Sequence, residues 1–166
     1  MKKKYLISVC LFALLPMIVQ AEDRKMLITV KRMTMETALT IAKGAIDACR
    51  KKQIQISVTV VDRAGVTQVA LRDVLAPTVS LTISKQKAHA ALAFNAKTSA
   101  MEGRFKSFGS VAKTEGLIFS AGGVPINAAG LILGAVGVSG APSGKIDESC
   151  AQAGIDLVQD DLEMTE

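Results

Sequence analysis

The chain has 166 residues with 20 Lys and Arg against 15 Asp and Glu, a formal charge of +5, one histidine, three cysteines and no tryptophan. Three of the basic residues, Lys2, Lys3 and Lys4, precede Ala21 and none of the acidic ones do, so the 145 residues after Ala21 carry 17 basic against 15 acidic groups, a net +2. That balance, without a dense basic stripe or stacking aromatics, excludes a nucleic-acid partner on electrostatic grounds. It leaves one domain of ordinary size with room for a proper core.

Residues 1–21 read as a cleaved leader. Lys2–Lys4 form a positive n-region, Tyr5 to Ile18 an apolar h-region interrupted by Pro16, and Val19-Gln20-Ala21 supplies small-residue cleavage chemistry. The apolar run is too short and too punctuated for a membrane span. The expectation is export to the periplasm or medium, cleavage after Ala21 and no stable membrane insertion afterwards.

Residues 22–33 form a polar lead-in with a short β-like piece over Leu27 to Val30. Thr34 is placed to cap a helix, with Glu36 favouring its dipole. Met35, Ala38, Leu39, Ala42, Ala45, Ile46 and Cys49 recur at steps of three and four residues, giving one apolar stripe that ends at the cationic Arg50-Lys51-Lys52. Ile56 to Asp62 alternates and is β-branched, Arg63-Ala64-Gly65 turns the chain, and Val66 to Arg72 returns it as a hairpin. Thr78 to Asn95 has no internal Gly or Pro and reads as a second helix, with Val79, Ile83, Gln86 and Ala90 on one side. Residues 96–114 read as a loop with a short helical turn. Leu117 to Ala121 is expected as a third strand.

Residues 121–141 hold six glycines and a proline but no charge. Gly122-Gly123 enters a strand at Val124-Pro125-Ile126, Ala129-Gly130 turns, and Leu131 to Val138 is long enough for one buried strand. Glycine inside a strand costs stability, so Gly134 and Gly137 point to close backbone approach by a helix, a neighbouring subunit or a flat ligand. Asp147 is expected to cap a final helix whose Cys150, Ala151, Gly154, Ile155 and Val158 share a face. The order α-β-β-α-β-β-β-α predicts an α+β layered sandwich, a mostly antiparallel five-stranded sheet with helices packed on it.

Cys49 and Cys150 remain after cleavage of the leader. In an oxidising compartment they form a disulfide if the first and last helices lie antiparallel on one sheet face; the alternative is two buried free thiols behaving as small hydrophobes. Neither cysteine stands beside a group that would activate it, and with a single histidine there is no metal spacing and no second partner for a triad. Asp62 and Asp73 flank the hairpin as turn residues rather than as an acid–base pair.

Three blocks resemble the GlcG/HbpS family, the DUF336-type domain also found as the C-terminal portion of PduO-type proteins. They are Val58 to Gly65, Ser84 to Ala91, and Gly122 to Ile126 running on to Gly134 to Ala141, with Asp147 and the closing helix behind them. Together they span residues 34–160 in order, so that one GlcG/HbpS-like domain over 34–166 follows the lead-in. The resemblance implies a profilin-like sandwich that assembles into homo-oligomers, with haem binding in exported members linked to haem handling or oxidative-stress sensing. Other members accompany glycolate-utilisation or corrinoid enzymes. The chain departs from the family after the second strand, where an Arg-Met-Asp-Gly-like segment is replaced by Arg72-Asp73-Val74-Leu75-Ala76-Pro77.

On that resemblance the cofactor expected is haem b. Haem needs an apolar slot, cations for its propionates and an axial ligand. His89 is the candidate iron ligand, with Lys85, Lys87 and Arg104 as propionate partners and Phe94, Phe105 and Phe108 as contacts to the ring. Met33, Met35 and Met101 are alternative ligands. Two competing readings stand beside this one: an accessory oligomer that binds a small organic acid or a partner enzyme, and a haem-degrading enzyme.

Overall fold

The computed structural model describes residues 26–105 and 109–165. The leader expected over 1–21 lies outside these residues, as does Phe108. One compact unit begins at Lys31; the described residues before it, 26–30, carry no strand, so the β-like piece expected over Leu27 to Val30 does not form. Among the described residues no helix is long and apolar enough to cross a membrane.

Helix α1, Met35–Arg50, begins where expected: Thr37 N–H donates to Thr34 Oγ1 at 3.2 Å. It is followed by the hairpin β1, Ser57–Asp62, and β2, Thr67–Arg72, then by α2, Val79–Phe94, which Asn95 ends in the left-handed conformation. Asp62 performs the turn chemistry expected of it, its Oδ1 accepting from the N–H groups of Ala64 at 2.8 Å and Val66 at 2.9 Å. A 3-10 turn over Thr98–Met101 and a one-turn helix α3, Gly109–Ala112, lead to β3, Gly123–Ala128, and β4, Leu131–Ser139. Helices α4, Gly144–Asp156, and α5, Gln159–Met164, close the chain.

The four strands pair antiparallel in the order β2-β1-β4-β3. The class is the α+β layered sandwich, with four strands where five were expected. Leu117 to Ala121 is not a strand because its polar groups bond elsewhere: Ile118 N–H reaches the Gln86 carbonyl of α2 at 3.4 Å and Ala121 N–H reaches Glu102 Oε1 at 2.7 Å. The Ser120-Ala121 bend then delivers Gly122 at φ +128 into β3.

Helices α1 and α4 pack together on one face of the sheet and α2 lies on the other. Strand alternation divides β1 accordingly. Val58 and Val60 join Ile41, Ala45, Cys49, Val136, Val138, Cys150 and Ile155 in the main core, whereas Ser57 and Thr59 turn toward α2. Cys49 and Cys150 are joined as a disulfide between α1 and α4, both residues buried in this core.

The α2 face is built differently. Its apolar cluster is only Val61, Ala88, Ala91 and Ala135 with part of Leu92. Hydroxyl pairs cross the interface, Ser57 Oγ to Ser80 Oγ and Thr59 Oγ1 to Ser84 Oγ, each at 2.8 Å. The close approach expected of the strand glycines is that of a helix at Gly137, where a Cβ would strike the Ser84 carbonyl and come within 2.6 Å of Ala88 N, both backbone atoms of α2; at Gly134 it is that of β1, where a Cβ would strike the Val61 carbonyl. Of the side marked by sequence, Val79 is 60 % exposed, Ile83 and Gln86 are half-buried and Ala90 is fully buried, so the marking coincides only in part with the buried face. Small residues and hydroxyls, not the larger apolar ones, set the helix's rotation, because only they let its backbone lie this close to the sheet.

Candidate functional site

The residues expected to hold a cofactor separate onto two sides of α2. Positions 87 and 89 are two apart, hence about 200° apart around the helix. Lys87 turns under it and His89 turns out, so the structure does not bring Lys87 to the same surface as His89 and Lys85.

Lys87 is almost completely buried. Its Nζ donates to Asp147 Oδ2 at 3.0 Å and to the Val138 carbonyl at 3.1 Å, while Asp147 Oδ1 accepts from Ala141 N–H at 3.0 Å. Asp147 was expected as the cap of α4, but Ser143 is the cap, its hydroxyl accepting from Ile146 N–H at 3.4 Å. Asp147 sits within the first turn and reaches across to α2 instead. Burial pushes its carboxyl above the ordinary carboxylate value, opposed by the Ala141 N–H and the Lys87 charge. The backbone is shaped around this pair: a Cβ at Gly122 would lie 2.7 Å from Lys87 Nζ and 3.0 Å from Asp147 Cβ. The pair forms one wall of an open cleft of about 430 Å³ between the start of α2 and the start of α4. Among the described residues no three His, Cys, Asp or Glu side chains gather as a metal site.

On the outer side, Lys85 and His89 lie one turn apart, Lys85 exposed and His89 half-buried. His89 Nε2 is 3.0 Å from the Gly65 carbonyl at the hairpin turn. A carbonyl oxygen accepts only, so Nε2 carries the proton and Nδ1 is the basic nitrogen. Beyond Ala93, Phe94 meets Phe105 and Phe119 with ring centroids 5.1 and 5.5 Å away, and Phe105 meets Phe119 at 4.8 Å. Arg104 is exposed, its guanidinium 5.7 Å from the Phe105 ring centroid. Sequence reading finds Phe94, Phe105 and Arg104 but not Phe119, which lies in the stretch expected as a strand. Of the candidate methionines, Met33 and Met101 are buried within the fold and Met35 is exposed on the first turn of α1.

A histidine fixed through one nitrogen by a backbone carbonyl, with Lys85 one turn away, is a donor set suited to an anionic, iron-containing cofactor; Phe94 lies about 140° around α2 from His89, so the aromatic cluster is not brought to the same surface. The two sides of α2 are therefore chemically distinct: one basic nitrogen beside Lys85 on one, and a polar cleft around an ion pair on the other.

Comparison with known proteins places the chain firmly. Residues 33–156 match the family model described as haem degrading protein HbpS-like. The crystal structure of HbpS is 37 % identical, covering 80 % of this chain and 94 % of that one at a TM-score of 0.77. A double mutant of Streptomyces reticuli HbpS is 35 % identical over 86 % of this chain and 99 % of that one, also at 0.77. The fold is shared as well with a PduOC:heme complex, 22 % identical over 76 % of this chain and 94 % of that one at 0.70. No curated protein matches in a sequence comparison. Family model and solved relatives agree with the three sequence blocks, and the chain belongs to the HbpS-like family.

Proposed function

We propose that this protein binds haem b at His89 on α2, with Nδ1 as the iron ligand and Lys85, one turn away, as a propionate partner. The observation that carries the reading is the His89–Gly65 hydrogen bond, since it sets the tautomer and holds the ring as carbonyl partners do for metal-ligating imidazoles. The PduOC:heme complex, which shares the fold, and the family's haem-related description support the ligand class. Bound there, haem would supply redox-active iron on an open surface, suited to handing the cofactor on or to sensing oxidants. The protein's own residues hold and orient it; Lys87, engaged with Asp147, takes no part.

Export of the protein as a homo-oligomer belongs to the same proposal. A buried Cys49–Cys150 disulfide is in keeping with an oxidising compartment. Leu81, an apolar residue of α2 left partly exposed, is in keeping with subunit contacts.

Titration of the purified protein with hemin tests the proposal. A saturable Soret shift at micromolar protein is expected, with a changed Soret position or lost saturation in His89→Ala. No shift in the wild type removes haem binding, and an unchanged spectrum in His89→Ala removes the ligand assignment alone. The family description also favours a degradative reading, which a reductant-dependent loss of the Soret band would support.

A further inference from the structure

We propose that the cleft on the opposite side of α2 is a second binding site, for a small monocarboxylate whose charged end meets Lys87 and Ser139. Three independent features of the cleft lead there.

The first is unsatisfied hydrogen-bonding capacity. Ser139, on β4, lines the cleft, is only 6 % exposed, and its hydroxyl has no hydrogen-bond partner among the described residues. The hydroxyl opens onto the cleft rather than being sealed in the core, so a ligand or water there can bond to it. Lys87 adds to this. An ammonium has three N–H donors, and only two are taken, by Val138 O and Asp147 Oδ2.

The second is the presence of the ion pair itself. Burying two charges rarely repays their desolvation, and an apolar pair of similar volume would hold the helices at least as well. The rest of α2's inner face is Ser80, Ser84, Ala88 and Ala91, so a lysine is not needed to fill space. Its placement in a cleft wall is accounted for if the third N–H serves a ligand.

The third is the shape and charge of the surroundings. Pro77, Val79, Ile83 and Pro142 give the cleft apolar walls for a short carbon chain. Helix α4 opens at Gly144 in the same wall, adding the positive end of a 13-residue helix. The charged groups facing the space are Lys87, Asp147 and Glu102, the last already bonded to Ala121 N–H. Two carboxylates against one ammonium disfavour a dianion. That net charge repels a dianion such as sulfate about twice as strongly as a monoanion, and the apolar walls suit a carboxylate with a short tail.

Isotope-labelled full-length protein, free of haem, is titrated with lactate and with propionate while backbone amide shifts are followed by NMR; inorganic phosphate is the comparison ion. Saturable shifts confined to Ser139–Gly144 and the first half of α2 are expected with the monocarboxylates and not with phosphate. Ser139→Ala, which leaves the ion pair intact, weakens binding by about tenfold. The double variant Lys87→Met/Asp147→Asn, checked for folding by circular dichroism, abolishes it. His89→Ala leaves it unchanged, which separates this site from the haem surface. Absent shifts, equal shifts with phosphate, or full affinity in Ser139→Ala would each overturn the assignment.

Discussion

The two faces of the sheet are held by different means. Against α1 and α4 the contact is thick and apolar: Ile41, Val58, Val60, Val136, Val138 and Ile155 interdigitate and a disulfide ties the two helices. Against α2 it is thin, with glycine, alanine, hydroxyl pairs and one ion pair in place of large side chains. Apolar burial is non-directional and tolerates small adjustments, so the first face supplies stability. Hydrogen bonds and backbone-to-backbone approach fix a helix in one position and rotation. That is what the second face supplies, and both candidate sites are built on α2.

Substitutions that separate stability from placement test this contrast, and the largest effect belongs to the disulfide. It closes a loop with a sequence separation of 101, for which chain-entropy reasoning gives a stabilisation of roughly 4–5 kcal/mol. Urea unfolding of Cys49→Ala/Cys150→Ala should show a loss of that order, while the hemin and carboxylate titrations of the folded variant stay as in the wild type. An unfolding midpoint unmoved by the double substitution would remove the bridge from the account of the first face.

A second comparison uses neighbours on β4. Val136→Ala leaves a void among the large side chains under α1 and α4 and should cost about 2–3 kcal/mol without moving α2. Gly137→Ala adds a single carbon, but on the other face it meets Ser84 O and Ala88 N, which are backbone and cannot swing aside. The helix must lift, at a cost of about 1–3 kcal/mol. The readout that distinguishes them is binding: Gly137→Ala should weaken carboxylate and hemin binding, whereas Val136→Ala should spare both. Equal binding in the two variants would deny that close packing positions the helix.

The thick face was readable in the sequence and the thin face only partly. The Ala38–Ala42–Ala45–Ile46–Cys49 stripe announced α1, and the run from Cys150 to Val158 announced the buried side of α4, because apolar periodicity reports burial directly. Gly137 was legible as a point of close approach, though not as to what approaches. Lys87 was not legible. Lys85 and Lys87 are equivalent until the rotation of α2 is known, and the buried positions of this helix are otherwise Ser and Ala, which apolar periodicity does not report. Asp147 was placed at the right helix end but given a local role, since its partner lies 60 residues earlier and no local pattern reports such a pairing. The missing fifth strand failed for the same reason: Leu117 to Ala121 has strand composition, and Gln86 and Glu102, both distant in sequence, take up N–H groups of that stretch.

The smallest effect concerns the ion pair at the heart of the thin face. Burial raises the Asp147 carboxyl above its ordinary value of 3.8, with the Ala141 N–H and Lys87 only partly opposing it. The folded protein therefore holds this proton more tightly than the unfolded chain does. Between the unfolded value and the raised folded one, the folded state binds more protons, so the contribution of Asp147 to stability falls as pH rises and levels off above the folded value. This is the reverse of the behaviour of a surface carboxylate held by a salt bridge. Unfolding free energies of wild type and Asp147→Asn measured from about pH 4 to about pH 7 should diverge in that sense, the wild type losing ground to the amide as pH increases. If the wild type gains ground instead, attraction to Lys87 outweighs burial and the pair is a stabilising bond. The thin face would then need no ligand to account for its charges.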